Sequence, residues 1–157
     1  MKKLFILLFA IMNFHYSFAQ NPENGAFWSF EMCEETLNVP KWKYEGMGFS
    51  ETASGQYAFV FEKDKVTVYY DGFLGQGYKR NKVFPITSRN VMSEEKDWTE
   101  YGYFYELNNE IKYAFTIRVS NNDYNIAVIE QLEEFIKNVA HKKTTFKVTR
   151  KFLQKNF

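Results

Sequence analysis

Strict period-two alternation of apolar and polar side chains limits this chain more than any other feature. Across Ile111–Val119, the residues Ile111, Tyr113, Phe115, Ile117 and Val119 share one face, and Lys112, Thr116 and Arg118 the other. Successive side chains of a strand point to opposite faces, so such a segment buries one face and wets the other. The pattern recurs in Tyr57–Glu62, where Tyr57, Phe59 and Phe61 align, and in Lys65–Asp71, where Val66, Val68 and Tyr70 oppose Lys65, Thr67 and Tyr69. Lys63-Asp64 between these runs has the length of a hairpin turn. Trp98–Leu107 is expected to pair with Ile111–Val119 across Asn108-Asn109, because Asn tolerates the positive φ of tight turns. Thr144–Phe152 alternates again, with Phe146 and Val148 against Lys147, Thr149 and Lys151. Tyr78–Phe84 and Ile86–Met92 are shorter candidates around Pro85, a residue suited to an edge, a bulge or a corner.

Two segments need separate treatment. Val128, Leu132, Phe135, Ile136 and Val139 recur at helical spacing, opposite Glu130, Glu133, Glu134 and Lys137. Asp123 or Asn125 is a candidate cap, and His141, Lys142 and Lys143 suit the negative end of a helix dipole. The spacing predicts an amphipathic helix over Ala127–Ala140, before the last strand. Near the start, Ser29–Leu37 fits a short helix, while Phe27–Met32 equally fits a first strand. The expected fold is mainly β (α+β): an antiparallel meander forming a small barrel or sandwich of about seven or eight strands, with that one helix outside the sheet or across a barrel mouth. There is no internal repeat or low-complexity linker.

The N-terminus has the three parts of an export signal. Lys2 and Lys3 precede the apolar run Leu4–Met12, and Ser17 and Ala19 place small residues before a cleavage site at Ala19-Gln20. The apolar run is too short to span a bilayer about 30 Å thick. Residues 1–19 are thus expected to be a signal peptide and 20–157 a single β-rich domain, secreted or periplasmic. No Cys follows the site, so no lipid anchor is expected there. Losing Lys2 and Lys3 moves the formal charge from +1 to −1. A near-neutral chain has no electrostatic pull toward nucleic acid, and no membrane span is expected after cleavage. Cys33, the only cysteine, cannot form an internal disulfide.

Chemistry is sparse. His141 is the only histidine beyond the signal, so no zinc or transition-metal cluster and no serine or cysteine triad can be built around a second one. Glu34-Glu35 and Glu94-Glu95-Lys96-Asp97 lack the spacing of a calcium loop and are expected to be solvated charge. Glu100 and Glu106 share a strand face but lie roughly 20 Å apart, too far for a glycosidase pair. No catalytic residue, metal or cofactor is expected.

Aromatic residues carry the remaining information. Of 31 in the chain, 5 fall in residues 1–19, which leaves 26 beyond the signal. Trp98–Leu107 is aromatic on both faces, with Trp98 and Phe104 on one and Tyr101, Tyr103 and Tyr105 on the other. Cross-strand packing uses such rings, and a tyrosine face also suits the wall of a ligand groove. Gly72-Phe73-Leu74-Gly75-Gln76-Gly77 lacks the Lys and Ser/Thr of a phosphate loop. Phe73 and Leu74 at a loop tip either fold onto the core or cover a ligand.

The hairpin YAFVFEKDKVTVYYDG at 57–72, the closing TTFKVTRKF at 144–152 and the early Trp28 together resemble the small lipocalin-like barrels of exported bacterial proteins. That resemblance implies a cup-shaped barrel around a small apolar molecule. The leading expectation is an exported, non-enzymatic protein binding a small, largely apolar ligand, with Tyr101, Tyr103 and Tyr105 as wall and Phe73 and Leu74 as lid. The alternative is an envelope module contacting a protein or glycan through Trp42, Tyr44 and Phe49. A hydrolase ranks third.

Overall fold

Each alternating segment is a strand, and one further strand stands where helical spacing predicted a helix. The computed structural model describes residues 21–37, 57–70, 79–123 and 125–151. The strands are β1 (Ala26–Thr36), β2 (Ala58–Phe61), β3 (Lys65–Tyr70), β4 (Arg80–Pro85), β5 (Ser88–Glu94), β6 (Trp98–Leu107), β7 (Glu110–Ser120), β8 (Ile126–Glu133) and β9 (Lys142–Lys151). They form one antiparallel sheet in the order β4-β3-β2-β1-β9-β8-β7-β6-β5, curled into a half-barrel. The first strand therefore sits mid-sheet beside the last. The end strands β4 and β5 are not paired with each other, which leaves a seam where the lipocalin-like resemblance implies a closed cup.

Register places the core on the concave face. Tyr101, Tyr103 and Tyr105 lie opposite Ile117, Phe115 and Tyr113, and Ile117 lies opposite Ile129, itself opposite Phe146. In the other half, Phe27 opposes Phe59, Phe61 opposes Val66, and Val66 opposes Phe84. Residues directly opposite share a face, so each cross-strand run is a continuous apolar band. Curling then brings the halves together: Phe61 meets Tyr103 at 4.9 Å and Phe84 meets Phe115 at 5.0 Å between ring centroids. Full burial of each large side chain contributes about 1.5–3 kcal/mol, and these rings fill the middle of the half-barrel.

The predicted helix over 127–140 is a strand followed by a tight turn. Ala127, Ile129 and Gln131 are buried facing the core, and β8 is hydrogen-bonded to β7 on one side and β9 on the other. The β-branched residues Ile126, Val128 and Ile129 favour that pleated environment. Glu134, Lys137 and Asn138 then adopt φ of 56°, 50° and 62°, which no α-helix accommodates. Asp123 caps a turn instead: its Oδ1 accepts from Asn125 N at 3.0 Å. The apparent 3.6-residue period arose from Val128 and Leu132 on the outer face and Ile136 and Val139 in the turn.

Of the two readings at the start, the strand holds. β1 carries a bulge between Ser29 and Glu31, and Ser29 N and Oγ both donate to Tyr57 O, at 3.0 and 3.3 Å. Asn108 and Asn109 take the positive φ that the turn requires, 55° and 61°. Pro85 marks a corner: Ile86 N donates to Asp64 O, and Thr87 N to Phe104 O, so β4 and β5 leave for opposite borders. On the convex face Gly102 makes room for the Phe104 ring, which would stand 2.6 Å from an added Cβ. Residues 1–19, Phe73, Leu74, Trp42, Tyr44 and Phe49 lie outside the described residues.

Candidate binding cleft

The concave face has two unlike ends. At the end where β1 starts, a single 3-10 turn, Pro22–Asn24, closes the half-barrel. Asn21 Oδ1 accepts from Glu23 N at 3.0 Å, and Glu23 pairs with Arg89 of β5. Arg150 of β9 lays its guanidinium 4.9 Å over the Phe27 ring and donates to Asn21 O at 3.2 Å. Tyr103 is wholly buried here, and its hydroxyl has no hydrogen-bond partner among the described residues. Burial, reinforced by Glu23, drives its pKa well above the ordinary phenol value. Burial also raises Tyr101.

At the opposite end a cleft of about 610 Å³ opens between β4 and the ends of β6, β7 and β8. Its aromatic floor comes from three strands. Tyr105 and Tyr113 stack with centroids 5.0 Å apart and planes 11° apart. Phe84 meets Tyr113 edge-on at 5.2 Å. The Tyr113 hydroxyl donates to Pro85 O at 2.6 Å, which anchors β7 to the corner. Burial, with Tyr105 adding to it, pushes the Tyr113 pKa up to about 12.

Charged groups frame this floor: Lys82, Lys112 and Lys142 against Glu133 and Glu134. Lys142 lies 4.0 Å from Glu133, and Lys112 pairs with Glu110. Lys82 holds its ammonium 4.6 Å over the Phe84 ring and makes no ion pair with a described residue. Burial and then Glu133 raise the pKa of Tyr70, which stands behind the cleft against Tyr57. Beyond Glu134, Ile136 and Val139 exchange backbone hydrogen bonds and project exposed side chains. Asn138 ties that turn to β7 by accepting from Ile111 N at 2.8 Å.

Of the three tyrosines expected to form a wall, only Tyr105 lines the cleft. All three face the core, but Tyr101 and Tyr103 belong to the plugged end. The cleft also uses Lys82, Phe84, Tyr113 and Glu133, which sequence reasoning did not single out. Tyr113 was visible on the apolar face of the strongest strand, and the register of the Asn108-Asn109 hairpin brings it near Tyr105. Among the described residues no group of three His, Cys, Asp or Glu comes together to hold a metal, and no helix is long and apolar enough to cross a membrane. No protein-family model, curated protein or solved structure matches this chain.

Proposed function

We propose that this chain is an exported, non-enzymatic protein that holds a small, largely apolar ligand in the cleft at the open end of its half-barrel. The observation carrying this reading is the half-exposed Tyr105: its ring stacks on Tyr113 on one side and has no other ring contact among the described residues. A flat aromatic surface beside a concavity of several hundred Å³, framed by a few polar groups, is the usual form of a small-molecule site. Export rests on the signal pattern of residues 1–19, and cleavage before Gln20 is the form to look for.

Native mass spectrometry of the protein purified from the cells that export it tests both parts. A chain beginning at Gln20, carrying an extra small-molecule mass that denaturation removes, is the expected result. A bare chain that also fails to bind 2-naphthylmethanol in calorimetry overturns the binding reading. An uncleaved N-terminus overturns export.

A further inference from the structure

We infer that the free edge of β4 docks an acidic, extended segment of a partner protein, which adds to the sheet as a further antiparallel strand along the cleft. The inference goes beyond the small-ligand reading and does not depend on it, because backbone groups of β4 carry it. Hydrogen-bond alternation fixes where those groups point. Glu62 N donates to Lys65 O across the β2–β3 turn, so Lys65, Thr67 and Tyr69 bond toward β2, and Val66, Val68 and Tyr70 toward β4. Their partners on β4 are Phe84, Lys82 and Arg80, and Ile86 N continues the series by donating to Asp64 O. The N–H and C=O of Asn81 and Val83 therefore point to the free edge, where β4 has no neighbouring strand among the described residues. Pro85 C=O points the same way and accepts from the Tyr113 hydroxyl across the cleft. Residues 82–85 line the cleft in unbroken succession, and residues 80–83 are all exposed, so the edge is open to a strand lying along it.

Charge decides what can lie there. Lys79, Arg80 and Lys82 put three cations into four residues of this edge, and β4 has no acid. Pairing two copies of β4 about Lys82 sets Lys82 opposite its own copy, and pairing about Asn81 sets Lys82 opposite Arg80. Like charges directly opposite destabilise a strand pair. Pairing about Val83 sets Asn81 opposite Pro85, which has no N–H to give. An acidic strand meets none of these obstacles. The other border, β5, is interrupted by the bulge between Val91 and Ser93, which blunts it as a template. In an antiparallel addition to β4, the residue opposite Val83 exchanges both backbone bonds with it, and the residues opposite Phe84 and Lys82 flank it on the cleft side. Phe84 is buried, and the Lys82 ammonium sits over its ring. An apolar side chain thus suits the first of these positions and a carboxylate the second, with a further acid opposite Arg80. The partner motif reads apolar-x-acid-x-acid, and each of its groups meets a β4 residue directly across the pair.

A fluorescently labelled peptide, Thr-Phe-Thr-Glu-Thr-Glu-Thr, tests this by anisotropy against the purified protein. It should bind saturably, and the same peptide with Lys in place of both Glu should bind about tenfold more weakly. N-methylation of the threonine between Phe and Glu removes the amide that pairs with Val83 and should abolish binding. N-methylation of the Glu that follows it, whose amide points away from β4, should leave most of it. On the protein, Val83→Pro removes the matching donor while the β3–β4 ladder stays whole, because that N–H lies on the free edge. Circular dichroism should then show an intact sheet, and binding should fall by about tenfold or more. If the unmodified peptide fails to bind, if the two N-methylated peptides bind alike, if the lysine peptide binds as well, or if Val83→Pro binds at full strength, the inference falls. A dimer in sedimentation that Val83→Pro dissociates would show that the edge takes a second copy, which also overturns it. None of these outcomes bears on 2-naphthylmethanol binding, so the small-ligand reading stands or falls separately.

Discussion

Tyr103 and Tyr105 are two residues apart on β6 and point to the same face, yet their surroundings are opposite. Tyr103 lies beneath the Pro22–Asn24 turn, packed 4.9 Å from Phe61, and none of its surface is exposed. Tyr105 stands over a cleft, half-exposed, stacked among the described residues only on Tyr113. The strand treats both alike, and what differs is the cover. A short turn pinned by Glu23–Arg89 and Arg150 seals one end, while at the other β4 turns away at Pro85 and leaves a gap. Alternation assigns a face; whether that face becomes core or site depends on which distant segment crosses it.

The sharpest way to break this comparison is to truncate one ring at each end. Phe61→Ala removes a side chain buried against Phe27 and Tyr103 and should cost about 3–5 kcal/mol in chemical denaturation. Tyr105→Ala should cost no more than about 1 kcal/mol, because little core depends on it. Equal losses would mean that the open end is core after all.

Alkaline titration sharpens the same contrast. Burial raises the pKa values of Tyr70, Tyr101, Tyr103 and Tyr113 above 10.0 in the folded chain. Above pH 10 the unfolded chain loses phenolic protons that the folded chain still holds, so it binds fewer protons and stability falls as pH rises. Phenolate absorbance, followed with circular dichroism, should show Tyr113 ionising near pH 12 and Tyr103 only as the sheet unfolds. Tyr113→Phe should delete the step near pH 12. Early ionisation of Tyr103 with the sheet intact would show that the plug does not seal its end.

The smallest effects come from single hydroxyls. Tyr113→Phe loses the bond to Pro85 O and should destabilise by about 1 kcal/mol. Tyr103→Phe removes a buried hydroxyl that has no partner among the described residues and should be neutral within about 0.5 kcal/mol, or slightly stabilising. Thermal denaturation of the two variants side by side decides this. A clear loss in Tyr103→Phe would reveal a bound water or ion at the plugged end.

Most strands were legible because one residue in two had to be apolar, a local property of the chain. The turn at Asn108-Asn109 was legible for the same kind of reason, since positive φ is a demand on the residue itself. β8 was misread because its helical spacing was equally local, while the β7 and β9 ladders that overrode it lie elsewhere in the chain. Tyr105, expected as a wall residue, lines the cleft, whereas Lys82, Phe84 and Glu133 line it without having been singled out. Their meeting depends on β4, β6 and β8, which the sequence does not place side by side.

The sequence by itself determined an antiparallel β protein, the side of each alternating strand that turns inward, and the tyrosine face of β6. Tertiary structure decided which rows meet. From a two-residue turn, plain register would set Tyr105 opposite Lys112 and turn its face toward the wet side of β7. A bulge between Tyr105 and Glu106 shifts the pairing by one residue and sets Tyr105 opposite Tyr113. Because side chains alternate with a period of exactly two residues, that single shift carries all of Tyr101, Tyr103 and Tyr105 onto the apolar face of β7. Burial of both apolar faces in one core selects that register, and this energy exists only once the sheet has curled.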